Sequence, residues 1–295
     1  MMNDRFLLAD DGTRIAYGVA GSGPALVLTN GLTTTTTFWE YVRPIWLQRH
    51  TVITWDLPGH GQSGPAQSDA TARLHYQPEI VARVMDAVGV RRAAQIGWST
   101  GSQVVLELYR RYPERCVSLA LLFGAAGRVL STTQLPLAGK WIERLVRATP
   151  PAAFGLVHGA LARAMRAPGS LALARKLTLV GEQARAQDVQ RVIAHIGSVD
   201  PRTLRVMLLS SQEHTAHEVL SQLRVPLLIL AGDQDPFAPS ELVGVAMQRA
   251  APGSELLRLP SGTHTALLEE PELIGRKVEE FVQRAFAAEG AAEGA

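Results

Sequence analysis

Ser99 stands in Gly97-Trp98-Ser99-Thr100-Gly101, directly after the apolar run AAQIGW and directly before the helical pattern SQVVLELYRRY. A strand that runs straight into a helix forces the residue between them into a tight, strained turn. The residues two positions away must then be small, because the two backbones nearly touch. Gly97 and Gly101 meet that demand. The hydroxyl is thereby held above the sheet edge with a helix N-terminus behind it. A serine hydroxyl is a weak nucleophile at neutral pH; it needs a base, and the base needs a carboxylate to orient it. Such partners belong in loops at the carboxyl ends of later strands, where open α/β sheets place their sites. Two loops qualify. Gly232-Asp233-Gln234-Asp235-Pro236 follows the run VPLLILA and offers two carboxylates, and Ser261-Gly262-Thr263-His264 follows ELLRLP and offers an imidazole.

These loops need a scaffold, and the hydrophobic periodicity describes one. Short strand-like runs are expected at Arg14–Ala20, Ala25–Thr29, Val52–Trp55, Ala94–Trp98, Val117–Phe123, Pro226–Ala231 and Glu255–Leu259. Helical patterns lie between and after them at Phe38–Gln48, Gln77–Val88, Ser102–Tyr112, Ser240–Ala250 and Pro271–Phe286. Strands alternating with helices imply crossover units and a mostly parallel sheet. Residues 128–222 break the rhythm: Ala, Leu and Arg recur at helical spacing between prolines and glycines, with no convincing strand. The expected organisation is a core over 1–127 and 223–286, a helical insertion over 128–222, and a frayed tail over 287–295.

Composition narrows the classes. The chain has 295 residues, 46% hydrophobic and 19% charged, with 29 Lys and Arg against 27 Asp and Glu. A chain of this size buries about three-quarters of its unfolded surface and needs neither disulfides nor metals to fold. Its lone cysteine, Cys116, excludes a disulfide framework and a cysteine-based zinc site. A net charge of +2 argues against a nucleic-acid binder. The opening MMNDRFLLADDGTR lacks a signal-peptide core, and the longest apolar stretch, Val117 to Gly127, is too short to span a bilayer. A cytoplasmic protein without membrane insertion is the expectation.

Together the serine turn, the two late loops and Asp56-Leu57-Pro58-Gly59-His60-Gly61-Gln62-Ser63 resemble the α/β-hydrolase superfamily, over nearly the whole chain. The resemblance implies a mostly parallel central sheet flanked by helices, with residues 128–222 at the variable lid position. It implies Ser99 as nucleophile and His264 as base. Asp235 is implied as the orienting acid in preference to Asp233, because GDQDPFAP is similar to the family's G-x-x-D followed by a hydrophobe and proline. The order Ser99, Asp235, His264 is the family's. The acid position some members use after the preceding strand reads Gly124-Ala125-Ala126-Gly127 here and holds no carboxylate. Asn30-Gly31-Leu32 resembles the family's His-Gly-x segment, so the Leu32 and Thr100 amides would form the oxyanion hole. Asn30 replaces a histidine that often braces this loop, which bears on subfamily.

The implied reaction is acyl transfer to Ser99 and hydrolysis of a small or medium carboxylic ester, with no cofactor or metal. A serine at this turn argues against dehalogenase and epoxide hydrolase activity, for which similar proteins use aspartate. Carbon–carbon hydrolysis of a diketone-like substrate also fits the resemblance, as do lactonase, perhydrolase and acyltransferase activities. A ligand receptor that keeps the same pocket is a further reading. Phe237 either lines the pocket or wedges its loop, and Trp98 reads as packing under the turn. His60 reads as a hydrogen-bonding residue of its glycine loop. His158, His195, His214 and His217 show no zinc spacing. Charge is uneven: residues 128–222 hold 12 Lys and Arg against 6 Asp and Glu, and the remainder 17 against 21. The insertion's arginines are read as a solvated face; the sharper reading is that they steer anionic substrates.

Overall fold

The computed structural model describes residues 3–128, 130, 133 and 136–293. Eight strands form one sheet: β1 (Arg5–Leu8), β2 (Arg14–Ala20), β3 (Ala25–Thr29), β4 (Thr51–Trp55), β5 (Ala93–Trp98), β6 (Cys116–Leu122), β7 (Leu227–Gly232) and β8 (Glu255–Leu259). Their spatial order is β1-β2-β4-β3-β5-β6-β7-β8. The β1–β2 and β2–β4 pairs are antiparallel, and every pair from β4 to β8 is parallel. The central strands β3, β5, β6 and β7 are buried on both faces, so they read as continuous apolar runs.

Alternate residues of each strand enter different cores. Val27, Ile53, Leu119 and Ile229 pack under the helices Gln77–Ala87 and Thr100–Arg111. Leu26, Leu28, Ile96 and Leu230 pack on the opposite face against Trp39, Trp46 and the closing helix Pro271–Glu293. Between β6 and β7 the chain makes a helical region whose principal helices are Pro136–Ala148, Pro151–Met165, Ser170–Lys176, Ala186–Ile196 and Pro201–Glu213. Its two ends run side by side: Gly127 bridges Thr215, and the Ala216 N–H donates to the Ala126 carbonyl at 2.7 Å. A small cluster of Val180, Ala184, Val189 and Ile193 gives this region a core of its own. Among the described residues no helix is long and apolar enough to cross a membrane.

Several elements differ from the sequence expectation. β1 has no expected counterpart, because Arg5–Leu8 is an edge strand with three of four residues exposed and no burial alternation. The helix expected over Phe38–Gln48 is instead a 3-10 turn, Thr36–Trp39, and a four-residue helix, Arg43–Trp46. Pro44 explains the break, since its ring clashes with the carbonyl four residues back and it has no N–H to donate. The closing helix runs to Glu293 rather than Phe286. Its AAEGAAE end keeps alanine's helix propensity, and Glu289 pairs with Arg92. The expected fraying over 287–295 is therefore corrected to helix through Glu293, with Gly294 and Ala295 outside the described residues.

Candidate active site

Ser99 is the joint between β5 and the helix Thr100–Arg111, with φ 54° and ψ −123°. A residue with a side chain holds such a backbone only when the surrounding structure over-determines it. Here the determinant is close approach. A Cβ added at Gly97 would lie 2.4 Å from the Gly101 carbonyl oxygen, and one at Gly101 would lie 2.4 Å from that of Thr29. The Ser99 N–H donates to the Leu122 carbonyl at 2.8 Å, tying the turn to β6.

Beyond β8, His264 places Nε2 2.9 Å from Ser99 Oγ and Nδ1 2.8 Å from Asp235 Oδ2. Asp235 is fully buried beyond β7. Its Oδ1 accepts the Phe237 and Ala238 N–H groups at 2.8 and 3.0 Å, which fixes the carboxylate's aim. A carboxylate on Nδ1 holds the proton there and leaves Nε2 free to accept one from the hydroxyl. The second candidate carboxylate, Asp233, lies elsewhere: its Oδ1 takes the Ser240 hydroxyl and, at 3.0 Å, the Arg258 guanidinium. The structure thus brings Asp235, not Asp233, to His264.

Two backbone amides lie close to Ser99 in the chain or in space. Thr100 opens its helix, where no preceding carbonyl can take its N–H. The Asn30-Gly31-Leu32 loop passes against Ser99 so closely that a Cβ at Gly31 would lie 2.9 Å from Ser99 Cβ. Among the described residues nothing accepts the Leu32 N–H.

Several residues that hold this loop carried only a weak sequence signal. Asn30 donates through Nδ2 to the Trp55 carbonyl at 2.8 Å, and its Oδ1 accepts Trp39 Nε1–H at 2.6 Å. The amide therefore braces the loop where the resemblance had placed a histidine. His60 Nε2 accepts the Thr33 N–H at 3.0 Å while Nδ1 faces the Pro58 carbonyl at 2.9 Å. Burial pushes the His60 imidazolium down to about 4, so the ring is neutral and its acceptor intact. Buried Asp56 accepts the Thr36 and Gln62 N–H groups at 3.3 and 3.1 Å, and burial raises its carboxyl above the usual range.

Glu269 gave no recognisable signal beyond lying five residues after His264. Its Oε1 accepts the hydroxyls of Thr263 and Thr265, both at 2.5 Å, and the Gly181 N–H at 3.0 Å. One carboxylate thus joins both neighbours of His264 to the inserted region.

Above Ser99 lies a cavity of about 330 Å³. The sheet side contributes Leu32, Trp98 and Phe237, and the inserted region contributes Met165, Leu179, Val192 and Ile196. No Lys, Arg, Asp or Glu is among its described lining residues. The Trp98 and Phe237 rings each lie 4.9 Å from the imidazole, centroid to centroid. Trp98, expected beneath the turn as packing, is buried and also forms cavity wall; Phe237 lines the cavity. The other histidines do not gather here. His158 faces the Ile196 carbonyl, His214 pairs with Glu107 at 3.0 Å, His217 opens a short helix, and the His195 ring lies 5.8 Å from that of His60.

A family model described as the alpha/beta hydrolase fold matches residues 24–271. The pimeloyl-[acyl-carrier protein] methyl ester esterase of Nitrosomonas europaea is 29% identical over 85% of this chain and 93% of its own. The 2-hydroxy-6-oxononadienedioate/2-hydroxy-6-oxononatrienedioate hydrolase of Burkholderia vietnamiensis is 26% identical over 94% of each chain. An uncharacterized Mycobacterium tuberculosis protein is 32% identical over 39% of this chain, and this chain spans only 33% of that relative's length. The crystal structure of a hydrolase from Pseudomonas aeruginosa superposes with a TM-score of 0.74 at 25% identity, covering 94% of this chain and 97% of that one.

Proposed function

The chain belongs to the α/β-hydrolase fold family, and on that premise we propose that it is a serine hydrolase cleaving carboxylic esters of small or medium, uncharged organic molecules. The observation that carries this reading is the chain of contacts Asp235–His264–Ser99, at 2.8 and 2.9 Å, opening into a cavity without a charged wall. His264 Nε2 takes the hydroxyl proton as Ser99 Oγ attacks the ester carbon. The oxyanion that forms is received by the N–H groups of Leu32 and Thr100. The imidazolium, steadied by Asp235, then protonates the leaving alkoxide and an acyl-serine remains. Water repeats the sequence and frees the acid. Every step uses the chain's own groups. In this reading residues 128–222 act as a lid over a core formed by 1–127 and 223–286, and its apolar side chains select the substrate.

Carbon–carbon hydrolysis is the second reading, supported by the Burkholderia vietnamiensis relative. That relative's name describes a doubly charged dioate, for which the described lining residues of the cavity offer no Lys or Arg, so the ester reading stands ahead. A fluorophosphonate probe is expected to label Ser99 and to leave Ser99→Ala untouched. Wild type should turn over short chromogenic esters while Ser99→Ala does not. Failure of the folded wild type to react with the probe would overturn the serine-hydrolase reading. Cleavage of a dienoate ring-fission product without ester turnover would move the assignment to the carbon–carbon reaction. Ligand affinity unchanged in Ser99→Ala, with no turnover at all, would mark a receptor.

A further inference from the structure

Twelve large apolar side chains are exposed among the described residues, and eight of them fall between Trp141 and Leu177. Single exposed leucines are ordinary, whereas a concentration of them marks an interaction surface. Trp141 and Leu145 lie one turn apart on the helix Pro136–Ala148, with 67% and 63% exposure. Leu156 and Leu161 stand out from Pro151–Met165, Leu156 at 77% exposure, and Leu173 and Leu177 from the segment that follows. The charges around them are one-sided. Residues 136–178 carry seven Lys and Arg and a single acid, Glu143. Arg147 and Arg175 have carboxylate partners. For Lys140, Arg144, Arg163 and Lys176 no carboxylate lies within ion-pair distance among the described residues. The Arg144 guanidinium sits 5.5 Å over the Trp141 ring, so cation and aromatic present themselves together.

We propose that this exposed apolar and basic segment of the inserted region docks on an anionic lipid surface. Charge complementarity selects the occupant. A second copy would set cations against cations. An acidic protein would answer the charge but offers no apolar layer for the leucines and the indole. A bilayer with anionic headgroups supplies both: phosphates for Lys and Arg, and an acyl boundary for Trp141 and Leu156. The contact is peripheral adsorption and requires no spanning helix. It is independent of the proposed ester hydrolysis, because adsorption needs no turnover. Met165 and Ala174 of the same segment line the cavity above Ser99.

The test uses the full chain with vesicles of phosphatidylglycerol or of phosphatidylcholine. Phosphatidylglycerol vesicles should co-sediment the protein at least about tenfold more strongly, and the difference should collapse at high salt. Each of Lys140→Ala, Arg144→Ala and Lys176→Ala should weaken that binding about fivefold. Leu156→Asp with Leu161→Asp should abolish it while soluble-ester turnover and thermal stability stay unchanged. Four of the five tryptophans, Trp39, Trp46, Trp55 and Trp98, are buried, so the emission blue-shift on binding should vanish in Trp141→Phe. Equal partition to both vesicles, or to neither, would overturn the proposal. So would a solution dimer that Leu156→Asp with Leu161→Asp dissociates.

Discussion

Replacing Glu269 by alanine tests whether the imidazole is held by its own loop or by the carboxylate beneath it. The substitution leaves two hydroxyls, those of Thr263 and Thr265, and the Gly181 N–H without their acceptor. Each hydrogen bond to a charged group is worth about 1.5–3 kcal/mol when buried. Glu269 is only partly buried, so water compensates in part, and the expected loss of stability is about 2 kcal/mol. The kinetic effect should be larger in proportion. His264 makes 2.9 and 2.8 Å contacts on its two nitrogens, and a misplacement of about 1 Å costs about 10²-fold in rate. The expected outcome is a kcat about 10²-fold lower with KM little changed, and recovery to within about tenfold in Glu269→Gln, which keeps an acceptor oxygen. A double-mutant cycle separates positioning from general loosening. In a His264→Ala background the imidazole is gone, so Glu269→Ala should cost the residual ester turnover almost nothing, a coupling of about 2.7 kcal/mol. Equal losses in both backgrounds, measured by steady-state kinetics below the melting range of every variant, would refute the reasoning. A raised KM with kcat intact would refute it as well.

Asp235→Asn should lower kcat by about 10⁴-fold, because an amide that donates toward Nδ1 favours the wrong imidazole tautomer, while the circular dichroism melt shifts little. Gly181→Ala would put a Cβ 2.4 Å from the Glu269 carboxyl carbon, and it should reproduce part of the Glu269→Ala defect, about tenfold in kcat. Burial holds His60 and His195 down to about 4, against about 6.5 in an unfolded chain. The unfolded state therefore binds the extra protons, so stability should fall as pH drops from about 6.5 to about 4 and then level off. Denaturant titrations across that window should show the fall, lessened in His60→Gln; a flat profile would contradict the burial argument. Carboxylate-bearing esters should show a higher KM than neutral esters of equal size, with no greater sensitivity to ionic strength. A salt-sensitive preference for the anion would instead support steering by the arginines of the insertion.

The central strands were legible because both their faces are buried. β2, β3 and β8 coincide with their expected limits, β4 and β5 begin one residue earlier than expected, and β6 and β7 are each displaced by one residue at both ends. The turn at Ser99 was legible for a steric reason: two glycines two residues either side permit a 2.4 Å approach that no side chain allows. Legibility failed where tertiary contact overrides local preference. β1 exists because Arg5–Leu8 pairs with β2, not because its own pattern demands a strand. The closing helix outlasts its apolar stripe because Arg92 reaches Glu289 from another element. The contacts of Glu269 with Gly181 and of Asn30 with Trp55 were invisible because the partners lie 88 and 25 residues apart in sequence, and no periodicity encodes such a meeting.

The division of labour in the molecule follows from where its strain and its apolar surface lie. On the sheet side, Ser99 is strained, Asp235 is fully buried with both oxygens engaged, and the Leu32 loop is held by Asn30 and His60. Each of these groups is fixed by backbone or buried partners, so it tolerates little change and suits a reaction whose geometry is constant. The wall across the cavity comes from Met165, Leu179, Val192 and Ile196, which make packing contacts and carry no strained backbone. Exchanging these side chains alters cavity volume and shape while leaving the 2.9 Å serine–imidazole contact alone. Leu179→Ala should therefore move the preferred acyl length upward, raising turnover of longer esters relative to acetate, without affecting reaction with the phosphonate probe. A lost probe reaction in that variant would mean that the inserted region shapes the chemistry as well as the choice of substrate. Glu269, bonded to both sides, is the place where such coupling would enter.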